Sequence, residues 1–318
     1  MDNAESTGSV ARVTVVVPTR DRGSSIVATI SSILACDHQN FELLVIDQSS
    51  SSETQDAIST AFDDARINYR RVTDAGVSKS RNRGVREAGT EYVMMTDDDC
   101  VVRPNWISAN LEALQAPERP GVVYADVSVV EDPAGGFTPE SIAPQDVLVR
   151  KIGDWTVSSD GLNVGIGASM AMRRSVVIDV GGFDEQLGPG SKFHNAEDTD
   201  LALRALIAGH PIRRLNTTGV DHYGARTPEE FRLLTRNAAL GLGAMTGKLL
   251  RWQPRKMTPF AALLFWRLVP AEILRSIVRL RKPPVLGRAI FLTRGMVQGM
   301  RHPMDPATQR FTGPNGTP

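Results

Sequence analysis

Residues 92–100 read Tyr-Val-Met-Met-Thr-Asp-Asp-Asp-Cys, a short apolar run that ends in three consecutive carboxylates. The run is too short and too apolar for a surface helix, so it predicts a buried β-strand that opens onto a functional site. Adjacent carboxylates repel one another unless a cation or hydrogen-bond donors offset their charge. Two interpretations are open from these residues alone: a site for Mg2+ or Mn2+, which prefer hard oxygen ligands, or a solvated acidic turn before the next helix.

The sequence before this stretch alternates between strand-like and helix-like segments. The β-branched run at 12–17 stops at Pro18, and a helical pattern begins near residue 26. The segments 41–46 and 67–72 are also strand-like, and each precedes a predicted helix. Such alternation predicts an α/β fold with a mostly parallel sheet, because parallel strands need crossover connections that are usually helical.

Polar residues follow each predicted strand, namely Thr19, Asp47, Asp74 and the triplet Asp97-Asp98-Asp99. Ligands of open α/β sheets bind at the carboxyl ends of the strands, so these residues are expected to converge on one pocket. Neither a G-x-G-x-x-G nor a G-x-x-x-x-G-K motif follows the first strand. The pocket is therefore expected to use a nucleotide-binding scheme other than the dinucleotide fingerprint or the P-loop.

A set of short motifs occurs in a fixed order along residues 12–225. The motifs are Val17-Pro18-Thr19-Arg20-Asp21-Arg22, Asp47-Gln48-Ser49-Ser50, Ser80-Arg81-Asn82-Arg83-Gly84, Asp97-Asp98-Asp99, the stretch from Gly165 to Met172, Gly181-Gly182-Phe183-Asp184-Glu185 and Ala196-Glu197-Asp198-Thr199-Asp200-Leu201. In this order they resemble the family 2 glycosyltransferases with the GT-A fold, a Rossmann-like, mostly parallel sheet flanked by helices. The resemblance implies inverting, metal-dependent transfer of a sugar from a nucleoside diphosphate-sugar, with UDP or dTDP as the nucleotide, to a hydroxyl acceptor.

The resemblance also implies which residues bind the donor: Pro18, Thr19, Arg20, Asp47, Arg81, Asp97 and Asp98. Asp47 would hydrogen-bond a pyrimidine base, and Arg81 would reach the base or the diphosphate. An arginine at a helix start suits phosphate oxygens, because the helix N-terminus also favours negative charge. The structural alternatives are that Asp47 caps the following helix and that Arg81 is an ordinary surface residue.

A second chemical centre is expected at residues 194–200, which read His-Asn-Ala-Glu-Asp-Thr-Asp and directly precede leucines at helical spacing. The first turn of a helix stabilises an ionised acid by about 0.3 to 1 kcal/mol, so capping alone explains one or two of these acids. Transfer of a sugar with inversion needs a base for the acceptor hydroxyl. By the resemblance, the Glu197-Asp198 pair is catalytic and Asp198 is the base.

His222 follows a predicted strand at 212–215. A lone histidine is more often structural than a metal ligand. The resemblance reverses this expectation, because the late histidine of the family completes the metal site that the DxD motif begins. The implied ligands of Mg2+ or Mn2+ are Asp99, His222 and Asp97, with the donor diphosphate and water completing the shell.

The chain has 318 residues and zero formal net charge, but its charges are unevenly distributed. Residues 248–302 contain 12 Lys or Arg and the single acid Glu272, whereas the preceding 247 residues contain 23 basic and 34 acidic side chains. Pro270 and Pro283-Pro284 divide this basic segment into short amphipathic helices. Such helices either lie on an anionic membrane surface or pack on the catalytic domain, and no apolar run reaches the ~20 residues that span a bilayer.

The predicted organisation is a flexible tail at 1–11, a GT-A catalytic domain at 12–225, a basic, amphipathic helical extension at 226–302 and a flexible tail at 303–318. The polar N-terminus lacks a signal-peptide pattern, and Cys36 and Cys100 have neither disulfide-framework nor zinc spacing. These features predict a cytoplasmic protein, held peripherally at the inner face of the cell membrane by its extension.

The expected acceptor is a glycan or lipid-linked hydroxyl compound of the cell envelope, and Trp155 is the candidate aromatic contact, with a core tryptophan as the alternative. A sugar nucleotidyltransferase is a competing prediction, although no glycine-rich loop follows the first strand. A non-catalytic, membrane-bound scaffold is the third. Nucleic acid is not expected as a partner, because no recognised reader module occurs. The sequence does not determine the oligomeric state.

Overall fold

The computed structural model describes residues 11–130, 140–154, 165–224, 226–268 and 285–313. Its strands are β1 (Val13–Thr19), β2 (Phe41–Asp47), β3 (Ile67–Arg71), β4 (Tyr92–Thr96), β5 (Cys100–Val102), β6 (Val122–Val129), β7 (Val147–Val149), β8 (Ser169–Arg173) and β9 (Ile212–His222). Its α-helices are α1 (Ile26–Leu34), α2 (Glu53–Ala61), α3 (Val77–Glu87), α4 (Trp106–Gln115), α5 (Arg174–Asp179), α6 (Glu197–Ile207), α7 (Pro228–Trp252), α8 (Pro254–Leu268) and α9 (Val285–Arg301). The predicted alternation of strands and helices is confirmed from β1 to β4.

The described strands form one sheet in the order β3-β2-β1-β4-β8-β6-β9-β5, and β7 also pairs with β9. Strands β1 to β4 are parallel, which confirms the predicted parallel sheet for the first part of the chain. Beyond β4 the sheet is mixed, because β8 is antiparallel to both β4 and β6. The carboxyl ends of β1, β2 and β4 therefore lie side by side, as a shared pocket requires.

Helices cover both faces of the sheet, and alternate residues of the central strands pack into two cores. Val16, Val93 and Met95 belong to the core that includes α3, α6 and α7. Val15 and Met94 belong to the core that includes α1, α2 and α4. All of these side chains are fully buried. Burial on both faces explains why the strand before the carboxylates is continuously apolar instead of alternating.

The described helices of the extension, α7, α8 and α9, pack on the catalytic domain, which is one of the two predicted locations. Met245 of α7 belongs to the same core as the sheet. The backbones of α7 and α9 touch: a Cβ on Gly247 would lie 2.2 Å from the carbonyl oxygen of Met296, and one on Gly299 would lie 2.0 Å from that of Ala244. Larger residues at these positions would separate the two helices. The predicted helices between Pro270 and Pro284 lie outside the described residues.

A buried charge network fixes α7 to the catalytic domain. The ammonium nitrogen of Lys248 lies 2.6 Å from a carboxylate oxygen of Asp184 and 2.6 Å from one of Asp200. Asp200 also pairs with Arg204 at 2.8 Å, and these side chains are almost fully buried. Lys248 belongs to the basic segment predicted to face a membrane, but the structure places it in the interior, where two carboxylates offset its charge.

Replacing Lys248 with methionine is expected to lower the free energy of unfolding by about 3–5 kcal/mol, because the change removes a cation from between two buried carboxylates. Urea denaturation would measure the loss. The matched control is methionine at the exposed Lys256, where a change within about 0.5 kcal/mol is expected. Equal losses in the two variants would contradict a stabilising role for the network.

The C-terminal segment differs from its prediction as a flexible tail over its described part, 303–313. Phe311 is 1% exposed, its backbone N–H donates to Asp184 at 2.8 Å, and its ring centroid lies 5.0 Å from that of Phe193. The buried carboxylate and the aromatic contact hold this segment on the catalytic domain. The predicted N-terminal tail lies outside the described residues except for residue 11. Among the described helices, none combines the length and apolar character needed to cross a bilayer.

Candidate active site

A cavity of about 820 Å³ lies at the carboxyl ends of β1, β2 and β4, and α6, α7 and α9 contribute to its walls. Ligand pockets commonly have volumes of roughly 300–1,000 Å³. The cavity is lined by ten of the residues predicted for the site: Pro18, Thr19, Arg20, Arg81, Asp97, Asp98, Asp99, Glu197, Asp198 and His222. Asp47 is the predicted site residue that does not line it.

The three carboxylates occupy the turn between β4 and β5, where arginines offset their charge. Asp97 accepts a hydrogen bond from Arg81 at 3.1 Å. Asp98 accepts one from Nε of Arg22 at 2.9 Å, and Asp99 accepts one from Nη2 of the same side chain at 2.8 Å. Two guanidinium groups thus relieve the predicted repulsion. Arg22 is a cavity residue that the donor-binding prediction omits.

Asp98 and Asp99 have opposite pKa shifts. Burial raises the pKa of Asp98 to about 6, although Arg22 opposes this shift. Burial also disfavours the charged form of Asp99, but a hydrogen bond from His222 and the charges of His222 and Arg22 outweigh it, so the pKa of Asp99 is lowered. Asp99 is therefore the more firmly ionised of the two at neutral pH, as a metal ligand must be.

Asp99 lies in a group of side chains that could hold a metal ion. A carboxylate oxygen of Asp99, the sulfur of Cys100 and a ring nitrogen of His222 lie within 4.8 Å of one another. The pairing of β5 with β9 sets Cys100 opposite His222. Burial raises the pKa of Cys100, so its thiol stays protonated and is the weakest ligand of the group. Asp97, also predicted as a ligand, lies outside this group and pairs with Arg81.

Glu197 and Asp198 begin α6 in different surroundings. Glu197 is buried and accepts a hydrogen bond from Arg81 at 2.7 Å. Asp198 is half-buried, and its carboxylate accepts hydrogen bonds from the backbone N–H groups of Gly167 at 2.7 Å and Thr199 at 2.6 Å. Burial and the charge of Asp198 raise the pKa of Glu197 to about 7, against the opposing charge of Arg81. Asp198 is therefore the more accessible carboxylate of the pair.

Arg81 has a different environment from the one predicted. Its side chain is 3% exposed, and its guanidinium joins Asp97 in the β4–β5 turn to Glu197 on α6. The guanidinium group of Arg81, which is predicted to reach the base or the diphosphate, is thus already paired with two carboxylates. Because an arginine forms directed, bidentate contacts, Arg81 fixes the distance between the two halves of the site.

Asp47 has an internal role in this structure. It is fully buried, and its carboxylate accepts hydrogen bonds from the backbone N–H of Ser49 at 2.7 Å and from the hydroxyl of Tyr69 at 2.5 Å. One oxygen therefore organises the loop after β2 and the other connects Asp47 to β3, and the fully buried side chain does not line the cavity. Gln48 is the residue of this loop that lines the cavity, and it also exchanges hydrogen bonds with the backbone of Gly76.

One wall of the cavity was not predicted from the motifs. Apolar residues of α7 between Phe231 and Leu242 line it, beside Arg226 and Arg288. Helical spacing of the apolar residues is the sequence signal that could have found this wall. The spacing indicates that one face of α7 is buried, but it does not identify what that face contacts. Trp155, the predicted aromatic contact of the acceptor, lies outside the described residues.

The family model of Glycosyl transferase family 2 matches residues 14–181, more than half of the chain. The chain belongs to glycosyltransferase family 2. This family 2 member is 26% identical over 159 residues to glycosyltransferase GlyG of Streptococcus pneumoniae, a match that covers 46% of the chain and 52% of GlyG. It is 26% identical over 207 residues to the glucosyl-dolichyl phosphate glucuronosyltransferase of Haloferax volcanii, covering 61% of the chain and 63% of that protein. The match thus spans less than two thirds of either relative.

Solved structures confirm the GT-A fold of this family 2 glycosyltransferase. The mannosyltransferase PcManGT of Pyrobaculum calidifontis, in complex with GDP-Man and Mn2+, aligns with a TM-score of 0.58 and 20% identity over 92% of this chain and 87% of PcManGT. TarS of S. aureus, in complex with UDP-GlcNAc, aligns with a TM-score of 0.54 and 17% identity over 73% of this chain and 66% of TarS. At these identities the likeness is one of fold.

The family 2 glycosyltransferase should lose stability through Glu197 as the pH rises from about 4.5 to about 7. The pKa of Glu197 is about 7 in the folded protein against an ordinary value of 4.5, so the folded state binds the proton more tightly and favours the protonated form within this window. Glu197→Gln removes this contribution. We expect the free energy of unfolding of the variant, relative to wild type, to increase across the window.

Urea denaturation at a series of pH values would measure the difference between wild type and Glu197→Gln. Glu229→Gln, at an exposed position on α7, is the control and should follow the wild-type pH profile. Parallel profiles for wild type and Glu197→Gln would contradict the raised pKa.

Proposed function

We propose that the protein is an inverting, metal-dependent glycosyltransferase that moves a sugar from a nucleoside diphosphate-sugar to an acceptor hydroxyl. One observation carries the proposal: a single cavity contains the strand-end loop of β1, the Asp99–His222 pair and the half-buried Asp198. This arrangement supports donor binding, charge compensation and proton removal within one site. It also disfavours the non-catalytic scaffold, for which no such convergence is needed.

The ligand group suits a divalent cation, since Asp99 and His222 offer a carboxylate oxygen and an imidazole nitrogen within 4.8 Å of each other. Both oxygens of Asp99 have partners, because Oδ1 lies 3.1 Å from His222 and Oδ2 accepts from Arg22. Mg2+ or Mn2+ would be held by Asp99 and His222, and Nη2 of Arg22 would then be available to the diphosphate, while Nε stays with Asp98. When bound, the cation offsets the charge of the leaving diphosphate.

The reaction is one displacement at the anomeric carbon. Asp198 accepts the proton of the acceptor hydroxyl, and the acceptor oxygen forms a bond to the anomeric carbon as the bond from that carbon to the β-phosphate oxygen breaks. The nucleoside diphosphate leaves with the electron pair of the broken bond. Attack from the face opposite the leaving group inverts the configuration. Glu197 precedes Asp198 in the chain, and its ion pair with Arg81 helps to hold Asp198 in position.

The proposal is tested by incubating the full chain with Mn2+ and a panel of UDP-, dTDP- and GDP-sugars and measuring the release of nucleoside diphosphate. We expect release from UDP- or dTDP-sugars, with the base read by the cavity residue Gln48 in place of the buried Asp47. A sugar nucleotidyltransferase would instead consume a nucleoside triphosphate and a sugar phosphate with release of pyrophosphate. Pyrophosphate release without diphosphate release would overturn the proposal.

The extension adds peripheral contact with the inner face of the cell membrane, where a lipid-linked or cell-envelope acceptor would lie. The support is a combined basic and apolar surface: Arg294 and Arg301 are exposed on α9, and Phe265, Trp266 and Ile290 are 50%, 64% and 57% exposed. Basic residues near an anionic surface contribute about 1 kcal/mol each.

The full chain is expected to co-sediment with anionic but not neutral vesicles, and high salt should release it. Reversing both charges in an Arg294→Glu, Arg301→Glu variant should lower the partition coefficient at least about tenfold. Arg86→Glu, at an exposed position on α3, is the control and should have a smaller effect. Equal partitioning of wild type and the double variant would exclude these arginines from membrane contact.

A further inference from the structure

The cavity wall formed by α7 is apolar, in contrast to the carboxylates that it faces. Phe231, Leu234, Ala238 and Leu242 line the cavity at positions separated by three or four residues, so they form one continuous row along a single face of the helix. The row belongs to the segment after β9 and not to the strand ends where the donor motifs converge. A sugar nucleotide has no extended aliphatic part that would match this row.

Two arginines lie beside the apolar row. Arg226, just before α7, and Arg288, on α9, both line the cavity, and both are half-buried. The guanidinium of Arg226 donates to the backbone carbonyl of Gly224 at 3.0 Å. No carboxylate of the described residues lies within ion-pair distance of Arg226 or Arg288, whereas Arg22 and Arg81 in the same cavity each pair with two carboxylates. Arg226 and Arg288 are therefore available to a ligand anion.

The opposite side of α9 is also apolar. Phe265 of α8 and Ala289, Ile290 and Val297 of α9 line an open groove on the outer surface, and Ile290 and Val297 are 57% and 40% exposed. Arg288 lines the cavity and the next residue of α9, Ala289, lines the groove, so the same helix borders both. An anion that reached Arg288 while joined to an aliphatic chain could therefore keep that chain on apolar surface.

We infer that the α7 wall, with Arg226 and Arg288, is the acceptor subsite and that it takes an acceptor linked through phosphate to an aliphatic lipid. The phosphate binds the two guanidinium groups, the proximal part of the chain lies along Phe231, Leu234 and Leu242, and the acceptor hydroxyl points toward Asp198. Arginine suits this role because its planar donors match phosphate oxygens. The inference rests on the proposed glycosyl transfer and specifies the chemical class of its acceptor.

The test uses the full chain with Mn2+ and three probes below their aggregation concentration: decyl phosphate, decanol and inorganic phosphate. Calorimetry should give the tightest binding for decyl phosphate, because it alone has both the anion and the chain. Arg288→Gln should weaken decyl phosphate binding by roughly tenfold to a hundredfold, the range for loss of a charged hydrogen bond, and leave decanol unchanged. Leu234→Asn should weaken both decyl compounds. Arg232→Gln, at an exposed position on α7, is the matched control and should bind like wild type.

Binding of UDP with Mn2+ is measured in the same variants and should be unchanged, which separates the acceptor subsite from the donor site. Equal affinity for decyl phosphate and decanol, or an Arg288→Gln variant that matches the Arg232→Gln control, would overturn the inference while leaving donor binding and the proposed function intact. Preference for inorganic phosphate over decyl phosphate would also overturn it. Failure of wild type to bind UDP, dTDP or GDP with Mn2+ would overturn the proposed function and, with it, the assignment of the wall to an acceptor.

Discussion

Asp198→Asn is expected to reduce kcat by about 10²- to 10⁴-fold, the usual contribution of a general base, while donor affinity is retained. The asparagine amide has nearly the same shape as the carboxylate but cannot take the acceptor proton. Donor affinity should survive because Asp198 belongs to α6 and not to the β1 loop predicted to bind the donor, and the charge on the proposed metal ligands is unchanged. Steady-state kinetics with the active donor, together with calorimetry of UDP and Mn2+, would measure both effects.

In Asp198→Asn the side-chain amide N–H would face one of the backbone N–H groups of Gly167 and Thr199, which now donate to the carboxylate. The stability of the variant therefore needs its own control. Thermal denaturation of Asp198→Asn would report any structural loss. Glu197→Gln is the comparison at the adjacent carboxylate, and its kcat should fall less because Glu197 is buried against Arg81. A larger fall for Glu197→Gln than for a folded Asp198→Asn would assign the base to Glu197.

Loss of either proposed metal ligand is expected to abolish measurable turnover. Changing residues that merely support a metal ligand typically costs about 10- to 100-fold in affinity, so Asp99→Asn or His222→Gln should weaken Mn2+ binding by more than about 100-fold. Electron paramagnetic resonance of free Mn2+ would measure this affinity without reference to turnover. Activity should also disappear in excess chelator and return when Mg2+ or Mn2+ is restored.

Cys100→Ser is the matched control, because the third member of the ligand group keeps its protonated thiol in the structure and is expected to contribute little. It should retain both Mn2+ affinity and turnover. Full turnover of wild type in excess chelator would contradict metal dependence. Unchanged Mn2+ affinity in both Asp99→Asn and His222→Gln would move the metal to other residues, with Asp97 as the remaining predicted ligand.

Much of the fold follows from local pattern in the sequence. The apolar run before Asp97 predicts β4, and the structure has a strand at Tyr92–Thr96 that is buried on both faces. Strand and helix periods differ and are set by neighbouring residues, so β1 to β4 and α1 to α3 could be located without knowledge of their partners. The position of Thr19 and the three carboxylates at strand ends then predicts that they share one pocket, because the carboxyl ends of parallel strands lie on the same side of a sheet.

The partners of the charged residues required the tertiary structure. Arg81 and Glu197 are 116 residues apart in the chain, and Arg22 and Asp99 are 77 apart. The residues next to an arginine in the sequence do not show whether it pairs with a carboxylate or binds a phosphate. The sequence around Asp47 likewise does not show its hydrogen bond from Tyr69, which depends on the pairing of β2 with β3.

In the helical extension, too, some properties follow from the local sequence and others only from the tertiary structure. Its sequence determined that it is helical, basic and amphipathic, since these properties depend on composition and spacing within each helix. Only the tertiary structure decided that Lys248 is buried between Asp184 and Asp200, that Phe311 packs on the domain, and that α7 lines the cavity. A helix carries its apolar face in its own sequence, whereas the surface that covers this face belongs to residues elsewhere in the chain.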